Sequence, residues 1–466
     1  MKNKIILAFV AATLSLGSCN LTEVEKIPDL NNPTVESVLG NATAVQISQL
    51  GVGLQAAMRQ GYYDMSWCGG SIGRECNLFN KNDNRFYTEL QGQVGIDPAG
   101  IFYGWYNAGS GNFNATRRRA EVFYRSANNS TSMSAEQKKA AEGFAKTVQA
   151  YAVLNCLNMM GETGIRTEFN DLLVAGDLLD PGPFKSYTEG LAFCKTLVDA
   201  GAAALDAGGA AFPFKMASGW AGFDTPANFK KFNRAVAARV AMYQQDWAGM
   251  STALSASFLD AAGSLKAGPR FNYSTVNNDL ANQFFQPLDE NNRPIVPQVG
   301  FVADIEAGDT RVTGLSIREG GTSKIRKRTA SVTLGGFPES FHEMQMFASN
   351  ISSVDIIRNE ELILMSAEAK LQQNDLPGAV IALDIIRTAA GLQPILLAKP
   401  AIIGSKDGLV NELLNQRRYS LWMEGSHRWF DMRRYGKLGE LPKDLPTHQV
   451  FSKYPKPQAE VDWDGQ

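Results

Sequence analysis

Apolar residues recur along much of this chain at spacings of three and four positions, which is the pattern of amphipathic helices. The clearest stripes are Phe144, Val148, Tyr151 and Leu154, then Phe232, Val236, Val240 and Tyr243, and lastly Val410, Leu413, Leu414 and Leu421 with Arg417. A further helix is expected over 48–60. The pattern predicts a mainly helical protein.

Helix ends can also be read from the chain. Ser134 followed by Gln137, and Ser186 followed by Glu189, fit the capping box, in which two side chains satisfy free amide groups at a helix start. The second of these helices should stop near Gly201. Pro226 suits the first turn of a helix, because its missing amide would have no partner there. These signals predict helices that begin after residues 134, 186 and 225.

Two segments, 226–262 and 358–391, have the same organisation. Each consists of an amphipathic helix, a turn containing two glutamines and an aspartate, and a second helix rich in alanine. The second segment is thirty-four residues long, which is the tetratricopeptide period. Such helix pairs bury their open faces on one another. We therefore expect tetratricopeptide-like helix pairs as the scaffold.

Two stretches, 61–111 and 271–349, lose the helical period. Ser331 to Leu334 alternates like a short strand, and the rest predicts irregular loops rich in glycine, asparagine and aromatic residues. Flat aromatic rings beside polar donors suit ligand binding, which favours Tyr63, Trp67, Arg85 and Tyr87 as ligand-binding residues. The alternative for any single aromatic residue is that it packs in the core.

Composition limits the partners and cofactors to be expected. The chain has 466 residues, of which 44% are hydrophobic, and a formal net charge of −2, so neither a nucleic acid nor an anionic lipid surface is expected as a partner. The three histidines are scattered and there is no Cys-x-x-Cys, so we expect no metal and no cofactor. Cys68 and Cys76 lie in a predicted loop and could pair.

Known catalytic motifs are missing from the sequence. It contains no nucleophile elbow, phosphate-binding loop, zinc-protease helix or dinucleotide fingerprint. We therefore expect no enzyme. The alternative is a secreted all-α glycoside hydrolase, because that chemistry needs only two carboxylates brought together in space.

The N-terminus carries a targeting signal. Lys2 and Lys4 precede an apolar run that is too short to span a bilayer, and small residues follow it. Leu16-Gly17-Ser18-Cys19 resembles a bacterial lipobox, in which the cysteine is acylated; the alternative is an ordinary secretory signal. The expected organisation is a signal peptide over 1–18, a tether over 19–45 lipidated at Cys19, and a single domain over 46–466.

The stretch 409–436 combines apolar and aromatic residues with charged ones. Three arginines, an aspartate and three aromatic residues crowd into nine positions from His427 to Tyr435, which favours a structural arginine–carboxylate network over an active site. The stretch resembles the C-terminal block of the SusD/RagB family. The matching residues are Arg417, Arg418, Glu424, Gly425, Arg428, Phe430, Asp431, Arg433, Arg434, Tyr435 and Gly436. The segment from Arg358 through Glu361 to Gly391, and Trp247, are also similar to the family.

This resemblance implies a SusD-like fold, with tetratricopeptide-like helix pairs as scaffold, an irregular loop-rich lobe and a few short strands. It implies a nutrient-binding lipoprotein on the outer membrane that faces the cell exterior. It implies also a partner, a SusC-like TonB-dependent β-barrel, to which a captured oligosaccharide or peptide is delivered without chemical change. The family varies its loops on a common scaffold, so the ligand does not follow from the resemblance.

Overall fold

The structure is a computed structural model that describes residues 34–107, 111–168, 182–276 and 279–464. The expected signal peptide over 1–18 and Cys19 lie outside the described residues. Within the described ranges, no helix combines the length and the apolar character needed to cross a bilayer.

Helices dominate the described chain, as predicted. The longer α-helices are α1 (Val35–Asn41), α2 (Ala44–Ala57), α3 (Tyr62–Ile72), α5 (Phe113–Asn129), α6 (Ala135–Met160), α7 (Tyr187–Asp206), α8 (Pro226–Gln244), α9 (Trp247–Ser255), α11 (Asn359–Gln372), α12 (Leu376–Ala389), α14 (Lys406–Ser420), α15 (His427–Arg434) and α16 (Gln458–Asp464). Three are single turns, α4 (Arg85–Thr88), α10 (Val299–Ala303) and α13 (Ile395–Ala398).

The strands are short and form two-stranded antiparallel sheets. The pairs in the described chain are β1 (Cys76–Leu78) with β5 (Ile295–Pro297), β2 (Ile165–Arg166) with β3 (Phe184–Lys185), β4 (Arg270–Phe271) with β8 (Val354–Asp355), and β6 (Ile325–Val332) with β7 (Ser340–Met344). The strand predicted over Ser331–Leu334 overlaps the longer β6 only at Ser331 and Val332. The lobe over 271–349 is therefore irregular, as expected.

Both predicted helix pairs form. α8 pairs with α9 and α11 pairs with α12, and α9 packs on α11. At this junction Gln373 Nε2 donates to Trp247 O at 3.0 Å and to Ser251 Oγ at 2.8 Å. Stacked helix pairs of this kind bury a continuous core, so the tetratricopeptide-like scaffold is confirmed.

Both predicted capping boxes are present. The Ser134 hydroxyl accepts from the amide of Gln137, and the Ser186 hydroxyl accepts from the amide of Glu189. The helix that follows Ser186 runs to Asp206, however, and does not stop near Gly201. Gly201 instead lies where α7 meets its neighbours: an added Cβ would come 3.2 Å from Thr147 Oγ1. This glycine permits close helix packing and does not end the helix.

Two other boundaries differ from the prediction. Residues 62–72, expected in a loop, form α3, and nine of its eleven residues are buried. Residues 35–41, expected in the tether, form α1, whose Val38 and Leu39 are buried against α5. In both cases tertiary packing stabilises a helix that the local sequence pattern does not predict.

A turn divides the C-terminal block into two helices. α14 ends at Ser420, and the next residues turn through positive φ at Met423 (60°), Gly425 (114°) and Ser426 (64°) before α15. The turn is held from outside: Trp422 Nε1 donates to Glu75 O at 3.0 Å, and Ser426 Oγ donates to Met65 O at 2.6 Å. The turn between α14 and α15 is thus hydrogen-bonded to α3 and to the residue that precedes β1.

Cys68 and Cys76 do not pair. Both thiols are free and buried, as are those of Cys156 and Cys194. Because the surrounding segment is a packed helix followed by a strand, these cysteines serve as small core residues.

Candidate functional site

Trp67 lies in the core. It is 4% exposed, its ring stacks on Phe86 with centroids 5.0 Å apart, and Phe102 meets it edge-on at 5.8 Å. Its Nε1 donates to Asp64 Oδ1 at 3.2 Å. The expectation that Trp67 offers an open ring on a loop is wrong, because α3 turns this side chain inward.

Arg85 and Tyr87 lie together on the short helix α4. The Arg85 side chain is 44% exposed and pairs with Asp83 at 2.7 Å. Tyr87 is half-buried, and its ring meets Phe337 edge-on at 6.0 Å. Arg85 is thus available at the surface, and Tyr87 is partly so.

Tyr63 is half-buried and connects to another part of the lobe. Its ring meets Phe284 edge-on at 5.1 Å, and Phe284 in turn lies 5.7 Å from Phe347. Phe347 is half-buried in the segment that follows β7. A row of aromatic rings therefore runs from Tyr63 to Phe347, and Phe347 lines a cleft in the surface.

The first cleft has a volume of about 420 Å³ and lies between the loop-rich lobe and the second helix pair. Its lining residues come from the end of α12, the β4–β8 sheet, the segment 310–324 and the turn after α14. The apolar part of the lining is Leu265, Ile317, Met346, Phe347, Ala348, Val354, Ile386, Ala389, Ala390 and Met423. The lining thus combines an aromatic ring, aliphatic side chains and charged groups.

The floor of the first cleft is an ion network centred on Glu424. Its carboxylate accepts from Lys324 Nζ at 2.7 Å and from Arg358 Nε at 2.8 Å. Arg358 also pairs with Glu360, and Arg311 pairs with Asp309 at 2.5 Å. These charges are buried and mutually satisfied, so the network keeps the floor in one shape.

Burial and neighbouring charges shift the pKa values of Glu424 and Lys324 in opposite directions. Burial raises the pKa of Glu424, but Arg358 and Lys324 outweigh it and bring the pKa down to about 2. Burial lowers the pKa of Lys324 to about 8, against the opposing effect of Glu424. At neutral pH Glu424 is therefore ionised and has no proton to donate.

The second cleft is larger, about 660 Å³, and adjoins the first. It lies between α2, the segment 215–220 and β4, and its lining includes Trp220 and Phe271. Arg270 lines both clefts. We call the two clefts, joined at Arg270, the groove.

The arginine–aspartate cluster of the C-terminal block lies in the interior, away from the groove lining. Arg417 Nε donates to Asp431 Oδ2 at 2.6 Å, and Arg434 Nη2 donates to Asp431 Oδ1 at 2.9 Å. Arg434 also pairs with Glu368 on α11. Asp431 and Glu368 are buried, so this cluster joins α11, α14 and α15.

A glycoside hydrolase needs one carboxyl group that holds a proton and one that does not. In the groove, Glu424 and Glu360 are paired with cations, and Asp355 accepts from Arg270 Nε at 2.7 Å. Burial raises the pKa of Asp355. Glu75, whose pKa burial raises to about 8, is fully enclosed and lines neither cleft. The carboxylates that line the groove are thus each held by a cation: Glu424 and Glu360 by Arg358, Asp355 by Arg270, and Asp279 by Arg59.

Residues 301–465 match the sequence model of the SusD family. No curated protein sequence matches the chain. Among solved structures, a SusD superfamily protein from Bacteroides thetaiotaomicron VPI-5482 is 16% identical, with a TM-score of 0.62 over 90% of this chain and 96% of that one.

Two further structures are similar. The surface glycan-binding protein A from Bacteroides thetaiotaomicron in complex with laminarihexaose is 14% identical, with a TM-score of 0.64 over 90% of this chain and 98% of that one. A SusD-like protein from Bacteroides fragilis NCTC 9343 is 13% identical, with a TM-score of 0.64 over 91% and 96%. At these identities the likeness shows the fold, and the predicted SusD-like fold is confirmed.

The groove was only partly foreseeable. The sequence indicated 271–349 as a ligand-facing stretch, and Phe347 and Met346 come from it. Leu265, Lys266 and Arg270 precede it, and the helix pair contributes Ile386 and Ala390. No spacing in the sequence brings these segments together, because each meets the others only through tertiary packing.

Proposed function

We propose that this chain, which belongs to the SusD family, is a glycan-binding protein of the outer membrane that captures an oligosaccharide in the groove. The observation that carries the proposal is the groove itself, in which a half-buried aromatic ring, Phe347, lies beside charged and polar groups. Aromatic rings stack on the apolar faces of sugars while polar groups bond to their hydroxyls. One protein of the same fold holds laminarihexaose.

The finer proposal concerns the route of the ligand. We infer that the protein is anchored through acyl chains on Cys19, faces the cell exterior, and passes its ligand to a SusC-like TonB-dependent β-barrel. The lipobox-like sequence Leu16-Gly17-Ser18-Cys19 supports the anchor, and the family supports the barrel partner. The protein changes the location of the ligand and not its chemistry.

Of the ligand-binding residues that the sequence favours, we keep three in the proposal and set Trp67 apart. Arg85 and Tyr87 lie together and are open enough to contact a ligand, and Tyr63 supports Phe347 through Phe284. Trp67 would have to lose its stack with Phe86 before a ligand could reach its ring. Arg85 and Tyr87 line neither cleft, so they make a second, competing location.

The test is calorimetric titration of the mature protein against a glycan panel, followed by variants. Phe347→Ala should weaken binding by about 1 kcal/mol, the usual value of one stacked ring. Phe341→Ala is the matched control, because Phe341 lies in β7 shortly before Phe347, is 47% exposed and lines neither cleft. It should bind as the wild type does.

Two outcomes contradict the proposal. Unchanged affinity in Phe347→Ala with a loss in Tyr87→Ala would move the ligand to the surface of α4. Absence of binding to every glycan, with tight binding of peptides, would replace the oligosaccharide by a peptide ligand.

A further inference from the structure

The groove differs in charge from the rest of the protein. Seven of its lining residues are cationic and four are acidic, and Asp309 beneath the lining pairs with Arg311. The groove with this partner therefore carries seven positive and five negative charges, a net charge of +2, whereas the whole chain carries −2. The cations are Arg59, Lys215, Lys266, Arg270, Arg311, Lys324 and Arg358, and the acids are Asp279, Asp355, Glu360 and Glu424.

We propose that the glycan bound in the groove is anionic, an oligosaccharide that carries carboxylate or sulfate groups along its length. This inference rests on the proposed function, because it names the ligand class of the same groove. It goes beyond that function by excluding neutral glycans as preferred ligands.

The excess positive charge lies at the rim. On the floor, Arg311, Lys324 and Arg358 are bonded to neighbouring carboxylates and backbone carbonyls. At the rim, Lys215 and Lys266 are exposed and make no ion pair with any residue in the described ranges. Exposed ammonium groups attract anions at little desolvation cost, so these two lysines are the groups that a charged ligand would meet first.

Arg270 lies between the two lysines along the groove. Its Nε donates to Asp355 at 2.7 Å and its Nη2 donates to Lys266 O at 3.0 Å, while its side chain is 41% exposed. Those bonds hold the guanidinium in place, and Nη1 makes no hydrogen bond within the described chain. A fixed guanidinium is well suited to carboxylate or sulfate oxygens.

The local backbone argues for a glycan over an acidic peptide. Extended peptides commonly bind by adding a strand to a free sheet edge. Here one edge of β4 pairs with β8. At its other side lies the turn Ser218–Trp220, where Gly219 approaches Arg270 O so closely that no Cβ would fit. The strand at the centre of the groove therefore has no open edge for a peptide backbone.

The experiment compares four probes with the mature protein by titration calorimetry: a galacturonic acid hexamer, a heparin hexasaccharide, neutral laminarihexaose and a poly-glutamate peptide. We expect one of the two charged glycans to bind at least tenfold more tightly than laminarihexaose. Its affinity should fall on the order of tenfold when salt is raised from about 50 mM to about 500 mM, because exposed charges are screened. The stronger of the two identifies carboxylate or sulfate as the preferred group.

Variants locate the charge effect. Lys215→Gln and Lys266→Gln should each weaken the charged glycan roughly two- to fivefold, as expected for exposed ion pairs, and leave the melting temperature unchanged. Lys231→Gln is the matched control, because Lys231 is exposed on α8 and lines neither cleft.

Each failure has its own signature. Equal affinity for laminarihexaose and the charged glycans, with no effect of the two lysines, overturns the anionic ligand and leaves glycan binding standing. Preference for poly-glutamate overturns the glycan class. If no glycan of any charge binds, the proposed function itself fails.

Discussion

At the scale of single residues, Glu75 makes a testable contribution to stability. It is fully buried and neither carboxyl oxygen has a hydrogen-bond partner in the described structure. Burial raises the pKa to about 8, although Arg428 and Arg418 oppose the rise. The folded protein therefore holds a proton here that the unfolded chain, with a pKa of 4.5, releases.

The sign of the pH effect follows directly. Between about pH 4.5 and pH 8 the folded state binds more protons than the unfolded state, so stability falls as pH rises and levels off above pH 8. Glu75→Gln should remove this slope and stabilise the protein at about pH 8 by a few kcal/mol. Denaturant unfolding at a series of pH values measures both effects.

Glu162→Gln is the control for this measurement, because Glu162 is exposed in the turn after α6. It should leave the slope as it is in the wild type. A Glu75→Gln variant that keeps the full wild-type slope would show that Glu75 is ionised in the folded protein.

Residue-level prediction from sequence succeeded where chemistry is local and failed where it depends on packing. Trp67 was chosen because aromatic and polar residues surround it in the sequence. In space its ring is covered by Phe86 and Phe102. Phe347 is open to the groove, yet nothing in its sequence neighbourhood distinguishes it from the buried Phe337. Exposure is a property of the assembled fold.

At the scale of elements, the C-terminal block ties three helices together through Asp431. Asp431→Ala should destabilise the protein by about 3–5 kcal/mol, because it leaves Arg417 charged and buried without its partner. The two terminal nitrogens of Arg417 already lack hydrogen bonds in the described structure, so no other group nearby is ready to replace the carboxylate. Thermal or denaturant unfolding measures the loss.

At low pH, the difference in stability between the wild type and Asp431→Ala should disappear. Burial raises the pKa of Asp431, but Arg417 and Arg434 outweigh it and lower the pKa to about 2. The stabilisation is therefore complete above the unfolded pKa of 3.8 and is lost as pH falls through about 2. Asp206→Ala is the control: Asp206 pairs with Lys230 at the surface, with 62% of its side chain exposed. Equal melting temperatures for Asp431→Ala and Asp206→Ala would contradict the structural role.

Elements were predictable from the sequence where their signals are carried by neighbouring residues. The capping boxes at Ser134 and Ser186 and the proline at 226 each mark a true helix start, since all three act within one turn. α3 was missed because its glycines and polar residues disfavour an isolated helix, and only its burial stabilises it. The break after Ser420 has no comparable local signal, because its anchors, Glu75 and Met65, lie far away in sequence.

At the scale of the whole molecule, the fold was predictable and the groove was not. Helix pairs with a fixed period produce the scaffold, and the motif in the contiguous block 409–436 lies within the residues that match the SusD family model. The groove is formed by α2, β4, β8, the end of α12 and the turn after α14, so its volume and charge depend on how separate segments dock. This separation explains how one scaffold can present different binding surfaces.

We expect the location of the whole molecule to depend on one residue, Cys19, which lies outside the described residues. Multiple acyl chains on this cysteine would hold the protein stably at the membrane, where a single chain is marginal. Cys19→Ala should therefore abolish palmitate labelling and move the protein out of the membrane fraction. The measurement is fractionation after a high-salt wash, in cells that lack the proposed β-barrel partner, so that docking to such a barrel cannot retain the variant. Wild-type protein in the same cells is the control and should stay with the membrane. Retention of Cys19→Ala under these conditions would show that another part of the chain binds the membrane, and the lipobox interpretation would then be wrong.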